Sequence, residues 1–384
     1  QHMANIIMPT LDYKCGDVKK LPYLPEAKIM VPNEKKLIDF AKQDWDAYET
    51  SWDFTTLPLL ESKYRQSNLA DIYKELRTHW QKMTDDMQRL EEENNRIFID
   101  AYGLQDELTP EVPLKEITLT CNPYYRYGGD KTAEELEALL LADTMRELIS
   151  YAVGCMFGRY SLDKPGLILA NQGDKIEQYL EQIPEPSFTP DKNNVIPILD
   201  DGWFSDDVVE RFRKFIKVAF GEEQYVSNMQ FIEQALGKND KPRDIRDYFL
   251  KDFYDDHVKR YKKRPIYWLF SSGNFNALIY MHRYQPDTVS IVLNDYLREF
   301  RTKLNAYKDQ LNAINISASQ SQSEKTKAQK KLDITSKMIT EMEEYERDVL
   351  YPLATKQIEI DLDDGVKVNY PKFGTALKKV TGLS

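Results

Sequence analysis

One stripe dominates the hydrophobic pattern of the chain. Leu69, Tyr73, Leu76, Trp80, Met83, Met87, Leu90, Asn94, Ile97 and Ala101 follow each other at alternating spacings of four and three. That is the period of a helix with a single apolar face. Glu91 to Glu93 and Asn95 fall off the stripe. Ser67 or Asn68 supplies an N-cap and Gly103 a left-handed end, so the pattern predicts one long amphipathic helix. Its stripe suits a protein core, or else packing on a long partner helix.

A second series runs through Leu293, Leu297, Phe300, Leu304, Tyr307, Leu311 and Ile314. It lapses over the polar stretch 317–323 and resumes at Leu332, Thr335, Ile339, Met342, Tyr345 and Val349, until Pro352. Two long helices joined by a polar loop form an antiparallel, coiled-coil-like hairpin, suited to a spacer or a docking arm. Further helices are expected over 34–40, 206–220, 222–236 and 242–261. Another runs from Thr132 to about Tyr151, where Glu135 completes a capping box. Gly154 and Gly158, four apart, would let another backbone approach closely. Residues 4–33, punctuated by Pro9, Gly16, Pro22, Pro25 and Pro32, read as strand and turn. Ile358, Ile360 and Leu362, then Asp363-Asp364-Gly365, then Val366, Val368 and Tyr370, read as a closing β-hairpin.

The expected fold is therefore mainly α: a multi-helix module with a long amphipathic helix, an antiparallel helical hairpin and small β-hairpin elements at both ends. Five segments follow from the pattern. They are a tail of a preceding region (1–33), a helical core (34–200), a helical sub-module (201–288), the hairpin (289–352) and a closing β-hairpin with its tail (353–384).

Composition narrows the function classes. The 384 residues carry 52 Lys+Arg against 63 Asp+Glu, a net charge of −11. With 24 Tyr, 16 Phe and 5 Trp to bury, most of the chain must fold. An acidic chain repels phosphate unless its cations are concentrated locally. Cys15, Cys121 and Cys155 are far apart, with no Cys-x-x-Cys, which fits a reducing cytoplasm and no disulfide scaffold. No segment is apolar enough to span a membrane, since Glu137, Asp143, Arg146 and Glu147 interrupt the best candidate. Gln1-His2-Met3 reads as an artificial join, and the chain as a piece cut from a longer protein.

Most candidate chemistry has a plainer explanation. Asn122-Pro123-Tyr124-Tyr125 approaches the Asn-Pro-Pro-Tyr motif that holds a flipped base's amine, but its third position is Tyr124, and no glycine-rich cofactor loop precedes it. No phosphate loop occurs. His79 and His282 stand alone; His257 beside Asp255-Asp256 reads as a solvated helix end rather than a cation site. Asp361, Asp363 and Asp364 resemble half of a calcium loop but lack its bidentate Glu, so they read as a turn. Nothing in the spacings requires a nuclease. The informative cluster is Lys259-Arg260-Tyr261-Lys262-Lys263-Arg264, five cations in six residues. Two readings stand: a patch that contacts phosphates, with Tyr261 and Tyr267 as stacking faces, or a solvated or internally paired helix end. Arg211, Arg213, Lys214 and Lys217 offer a second basic face.

Longer words carry a resemblance. They are the stretches 92–99 and 102–112 (Glu92-Glu93-Asn94-Asn95-Arg96-Ile97 through Tyr102-Gly103-Leu104-Gln105-Asp106 to Val112), 149–163 (Ile149-Ser150-Tyr151-Ala152-Val153-Gly154 to Asp163), Arg264-Pro265-Ile266-Tyr267-Trp268-Leu269-Phe270, Glu49-Thr50-Ser51-Trp52-Asp53-Phe54, and 360–370. Together, and in one order, the chain resembles the C-terminal part of the PglX family, adenine-specific DNA methyltransferases of BREX phage-defence systems. Residues 9–22 look like the close of a target-recognition region in PglX and in related fused restriction-modification enzymes.

The resemblance implies methylation of the adenine amine at a short asymmetric DNA site by base flipping. It also implies that the catalytic machinery lies upstream, so no catalytic residue and no cofactor are assigned here, and S-adenosylmethionine is expected in the missing N-terminal part. What carries over is a supporting role in host marking and phage restriction, in the cytoplasm. The implied partners are double-stranded DNA through its backbone, the N-terminal methyltransferase and target-recognition regions of the same protein, and other BREX components. The expected DNA-contacting residues are Lys259, Arg260, Lys262, Lys263, Arg264 and Arg126. The alternative is a pure protein-interaction module that never touches DNA.

Overall fold

The structure, a computed structural model, describes residues 33–238, 241–317 and 319–383. The strand-and-turn reading of 4–33 lies outside them apart from Asn33, as does Cys15. In chain order the helices are α1 (Glu34–Asp46), α2 (Leu69–Tyr102), α3 (Pro123–Tyr127), α4 (Ala133–Met156) and α5 (Ile176–Gln182). Strand β1 (Ile196–Pro197) precedes α6 (Val208–Phe220), α7 (Tyr225–Leu236), α8 (Ile245–Lys251) and α9 (Phe253–Arg260). Strands β2 (Tyr267–Ser271) and β3 (Asn276–Tyr280) lead to α10 (Thr288–Ile291), α11 (Glu299–Ile316), α12 (Gln322–Tyr345), α13 (Tyr351–Lys356) and α14 (Val366–Asn369). The fold is mainly α, as the hydrophobic pattern predicts.

The described residues fall into two compact units, 33–45 with 77–136, and 46–76 with 137–383. In the first, Asp44 is buried because it accepts the backbone N–H groups of Thr120 (2.6 Å) and Cys121 (2.9 Å). This ties α1 to the loop before α3.

Helix α2 is the predicted long helix, 34 residues capped by the Asn68 side-chain oxygen, which accepts the Asp71 N–H. Its buried face is Leu69, Ile72, Leu76, Trp80, Met83, Met87, Leu90 and Ile99. The last members depart from the expected stripe: Ala101 is exposed and Ile99 buried. A straight helix drifts about 20° per heptad against a 3.5-residue repeat, so the covered face moves around α2 along its length.

The second unit is built around a three-stranded antiparallel sheet in the order β1-β3-β2, with Tyr267 opposite Tyr280 and Ser271 opposite Asn276. Both faces are covered, so Tyr267 to Phe270 and Ala277 to Tyr280 are all buried. The outer edge of β2 is closed by the C-terminal segment, where Lys378 N–H donates to Leu269 O (2.8 Å). Trp268 packs edge-on against Tyr370 and Phe373 from that segment.

Two expectations are corrected here. The residues read as a closing β-hairpin form a 3-10 turn (Leu362–Asp364) and α14. Asp361 caps the turn, and the Asn369 amide bridges Asp361 and Gly365 backbone oxygens, so the burial falls on Val366, Asn369 and Tyr370 at helical spacing. At Gly154 it is a side chain rather than a backbone that comes close: an added Cβ would sit 2.4 Å from Cδ2 of Tyr160. At Gly158, φ +75°, the close neighbours are likewise side chains, of Leu169, Tyr179 and Pro190.

The predicted helical hairpin is present. A π-turn (Val292–Arg298) leads α10 into α11, which packs against α12. Ser321 and Glu324 form a capping box at the start of α12. Helical structure continues through Pro352, which follows a π-helical turn (Glu346–Leu350) at the start of α13.

Candidate nucleic-acid interface

The cationic cluster is a helix end and the turn that follows it, all within the second unit. At the end of α9, Tyr261 N–H donates to His257 O, Lys262 N–H to Lys259 O (3.0 Å) and Lys263 N–H to Val258 O (2.8 Å). The last two bonds make a Schellman motif, which calls for a left-handed residue where glycine is favoured. Here that residue is Lys262 (φ +50°), and Lys263 follows it at φ +61°. Two lysines therefore hold a conformation that disfavours a Cβ by roughly 1–2 kcal/mol each. Arg264 N–H returns to Tyr261 O (2.9 Å), and Pro265 hands the chain to β2. Lys259, Lys262, Lys263 and Arg264 are exposed, and among the described residues their side chains make no ion pair or hydrogen bond.

Beneath this turn lies its anchor. Arg260 turns inward and pairs with Glu49 (3.2 Å), itself only 6% exposed and bonded by the Ser150 hydroxyl. Unlike its neighbours Arg260 is engaged within the protein, its guanidinium held by Glu49 with Glu147 nearby. His257 is no solvated helix end. It is buried, and its Nε2 accepts the N–H groups of Ile266 (3.2 Å) and Tyr267 (3.1 Å), locking the turn onto β2. Burial, reinforced by the Arg260 and Arg159 charges, pushes its pKa far below the usual histidine value, so the ring is neutral. Arg159 donates to the hydroxyls of Tyr160 (3.1 Å) and Tyr280 (2.9 Å), adding a second half-buried cation to the floor.

Lys259 also borders a cleft of about 580 Å³ whose other walls include Asp143, Arg243, Asp252, Asp255 and Asp256. These carboxylates are matched internally: Asp143 and Asp256 with Arg146, Asp252 with Arg243, Asp255 with Lys378. Arg146 is shared by two of them, so four carboxylates face three partner cations.

The other expected residues fall elsewhere. Arg126 belongs to the first unit, at the end of α3, with its guanidinium over the Tyr127 ring. In the second basic face Arg211 pairs with Asp191 (2.5 Å), Arg213 with Glu210 (2.6 Å) and Lys217 with Glu222 (2.9 Å), while Lys214 is exposed. Asn122 is a helix cap: both its amide protons go to backbone oxygens, of Leu114 (2.7 Å) and Ile117 (2.9 Å), and its oxygen accepts from Tyr124 N–H. Buried and engaged in this way, it does not fit the role of holding a target amine beside S-adenosylmethionine. Among the described residues no cluster of His, Cys, Asp and Glu has the form of a metal site, and no helix is long and apolar enough to cross a membrane.

The fold and the turn define a mainly helical module with a fixed cationic projection on an acidic body. No protein-family model matches the chain. Over its whole length it is 37% identical to the adenine-specific methyltransferase BrxX of Escherichia coli O9:H4 (strain HS), covering 32% of that protein. Over 98% of its length it is 36% identical to the adenine-specific methyltransferase PglX of Lacticaseibacillus casei (strain Zhang), covering 30% of it. The chain is thus a homologue of the C-terminal part of PglX-type adenine-specific methyltransferases, and spans 30–32% of the length of these relatives.

Proposed function

We propose that this chain is the non-catalytic C-terminal module of a BREX PglX-like, site-specific DNA adenine methyltransferase, and that it positions duplex DNA for the catalytic part. In this reading S-adenosylmethionine and base flipping belong to the N-terminal portion of the longer protein, in the cytoplasm. The module contributes phosphate contacts, which place a duplex without reading its sequence, and docks against its own N-terminal regions and other BREX components. The observation that carries the reading is the turn: Lys259, Lys262, Lys263 and Arg264 stand exposed and unpaired on a backbone locked by the Schellman bonds and by His257. Cations held on a rigid element suit a phosphate contact because little freedom is lost on binding.

A second reading has its own support. Arg260, once counted with the patch, pairs internally, and the body carries net charge −11, which favours a protein-interaction surface. The experiment that separates them is a duplex titration of the K259E/K262E/K263E/R264E variant, with Arg260 kept. Loss of a salt-sensitive affinity supports DNA positioning. Unchanged affinity, or none in either protein, supports the protein-only reading.

A further inference from the structure

The hairpin of α11 and α12 carries a second cationic surface. Between Lys308 and Lys337 lie six lysines (Lys308, Lys325, Lys327, Lys330, Lys331 and Lys337) against three acids. Among the described residues none of the six side chains forms an ion pair or hydrogen bond. Two of the acids are engaged with neutral groups: Glu324 closes the capping box, and Asp333 accepts from the Gln329 amide (2.8 Å). The root of α12 has the opposite sign and is used for docking. Glu341 accepts from Ser272 and Asn274 in the β2–β3 turn, and Glu346 takes Arg298 and Arg301. The lysines are left on the distal half.

Helical geometry gathers four of them on one ridge. Ile334 is 59% exposed, and Lys330, Lys331 and Lys337 stand four and three residues before it and three after. Lys327 continues the ridge one turn earlier. The seam against α11 is elsewhere on the helix, at Ala328, Thr335, Met338, Ile339 and Met342, so packing within the hairpin does not account for the isoleucine. At 1.5 Å per residue, Lys327 to Lys337 covers about 15 Å, against a major groove about 12 Å wide.

We propose that this ridge is a second duplex-binding surface, with α12 lying across a groove. Lys327 and Lys337 meet phosphates on its two walls, Lys330 and Lys331 flank them, and Ile334 faces the groove between. A regular polyanion fits better than an acidic protein, because the unpaired charges repeat along one ridge at groove spacing. The proposal rests on the reading that this module meets duplex DNA, but on residues separate from the turn.

The test is fluorescence anisotropy of a labelled duplex across a salt series, using the whole chain. Four proteins are compared: wild type, the turn variant K259E/K262E/K263E/R264E, the ridge variant K327Q/K330Q/K331Q/K337Q, and I334A. Circular dichroism establishes that each is folded. Each phosphate contact contributes about 0.9 to the log–log salt slope, so loss of the two wall contacts should lower it by about 2. I334A should weaken binding a few-fold with the slope unchanged, since an apolar contact releases no counterion. A ridge variant with the wild-type slope overturns the inference, while a loss confined to the turn variant leaves the proposed function standing. Loss in the ridge variant alone supports the inference and sinks the turn assignment. Competition by polyglutamate as strong as by unlabelled duplex would overturn the choice of partner.

Discussion

Arg260 separates folding from binding. Its guanidinium is buried with Glu49, and removing one member of such a pair leaves an uncompensated charge, at a cost of about 3–5 kcal/mol. R260M is therefore expected to lower stability in urea unfolding by that order, while the folded variant keeps the wild-type salt slope for DNA. A reduced slope with normal stability would mean that Arg260 faces solvent. Its neighbours behave oppositely. Relief of the left-handed Cβ clash at Lys262, roughly 1–2 kcal/mol, exceeds the extra unfolded-state freedom of glycine, about 0.4–1 kcal/mol. K262G should thus gain up to about 1 kcal/mol of stability and lose DNA affinity, which is the pattern of strain kept at a working surface. A variant less stable than wild type would show that the left-handed backbone is not the source of strain.

The buried histidines set a pH dependence. His282 is pushed down to about 4 by burial and by the Arg159 charge, and His257 falls well below its ordinary value of 6.5. A base whose folded pKa is depressed binds fewer protons than its unfolded form, so stability is full above pH ~6.5 and is lost as pH falls below it. Each histidine should contribute a slope of up to about 1.4 kcal/mol per pH unit between that value and its folded pKa. The check is the difference in unfolding free energy between wild type and H257Q from pH 7.5 to 4.5: it should shrink on acidification, and a constant difference would contradict the buried, neutral ring.

At the scale of elements, Gly154 in α4 is the sharpest test of packing. A Cβ there meets the Tyr160 ring, which is stacked on Tyr151 and held by Arg159, so the ring cannot retreat. G154A is expected to destabilise by about 1–3 kcal/mol, read as a lower urea midpoint at constant m-value. An unchanged midpoint would show that the ring moves. The elements legible in the sequence are those whose periodicity and caps agree: α2 with Asn68, and the hairpin with its repeat and its Ser321 cap. Strands β2 and β3 were not legible as strands, because both faces are buried and the run Tyr267 to Phe270 shows no alternation. The C-terminal alternation misled for the converse reason: Ile358, Ile360 and Leu362 are only half-buried, and the Asp361 and Asn369 side chains set the local fold. In the candidate site, the charge run was visible but its division was not. The partner that draws Arg260 inward, Glu49, is remote in sequence, and no local pattern reports it.

For the whole molecule, a chain of net charge −11 keeps the cations of the turn and of the α12 ridge exposed on helical supports. The chain is similar to part of two adenine-specific methyltransferases and spans 30–32% of their length. The central claim is that the turn after α9 holds DNA by its phosphates. The most direct measurement is the affinity of the whole chain for a labelled duplex at two salt concentrations, with and without the K259E/K262E/K263E/R264E change. The account predicts an affinity that falls steeply with salt and is lost, or keeps a clearly smaller salt slope, in the variant. Equal affinity and equal slope in the two proteins would contradict it.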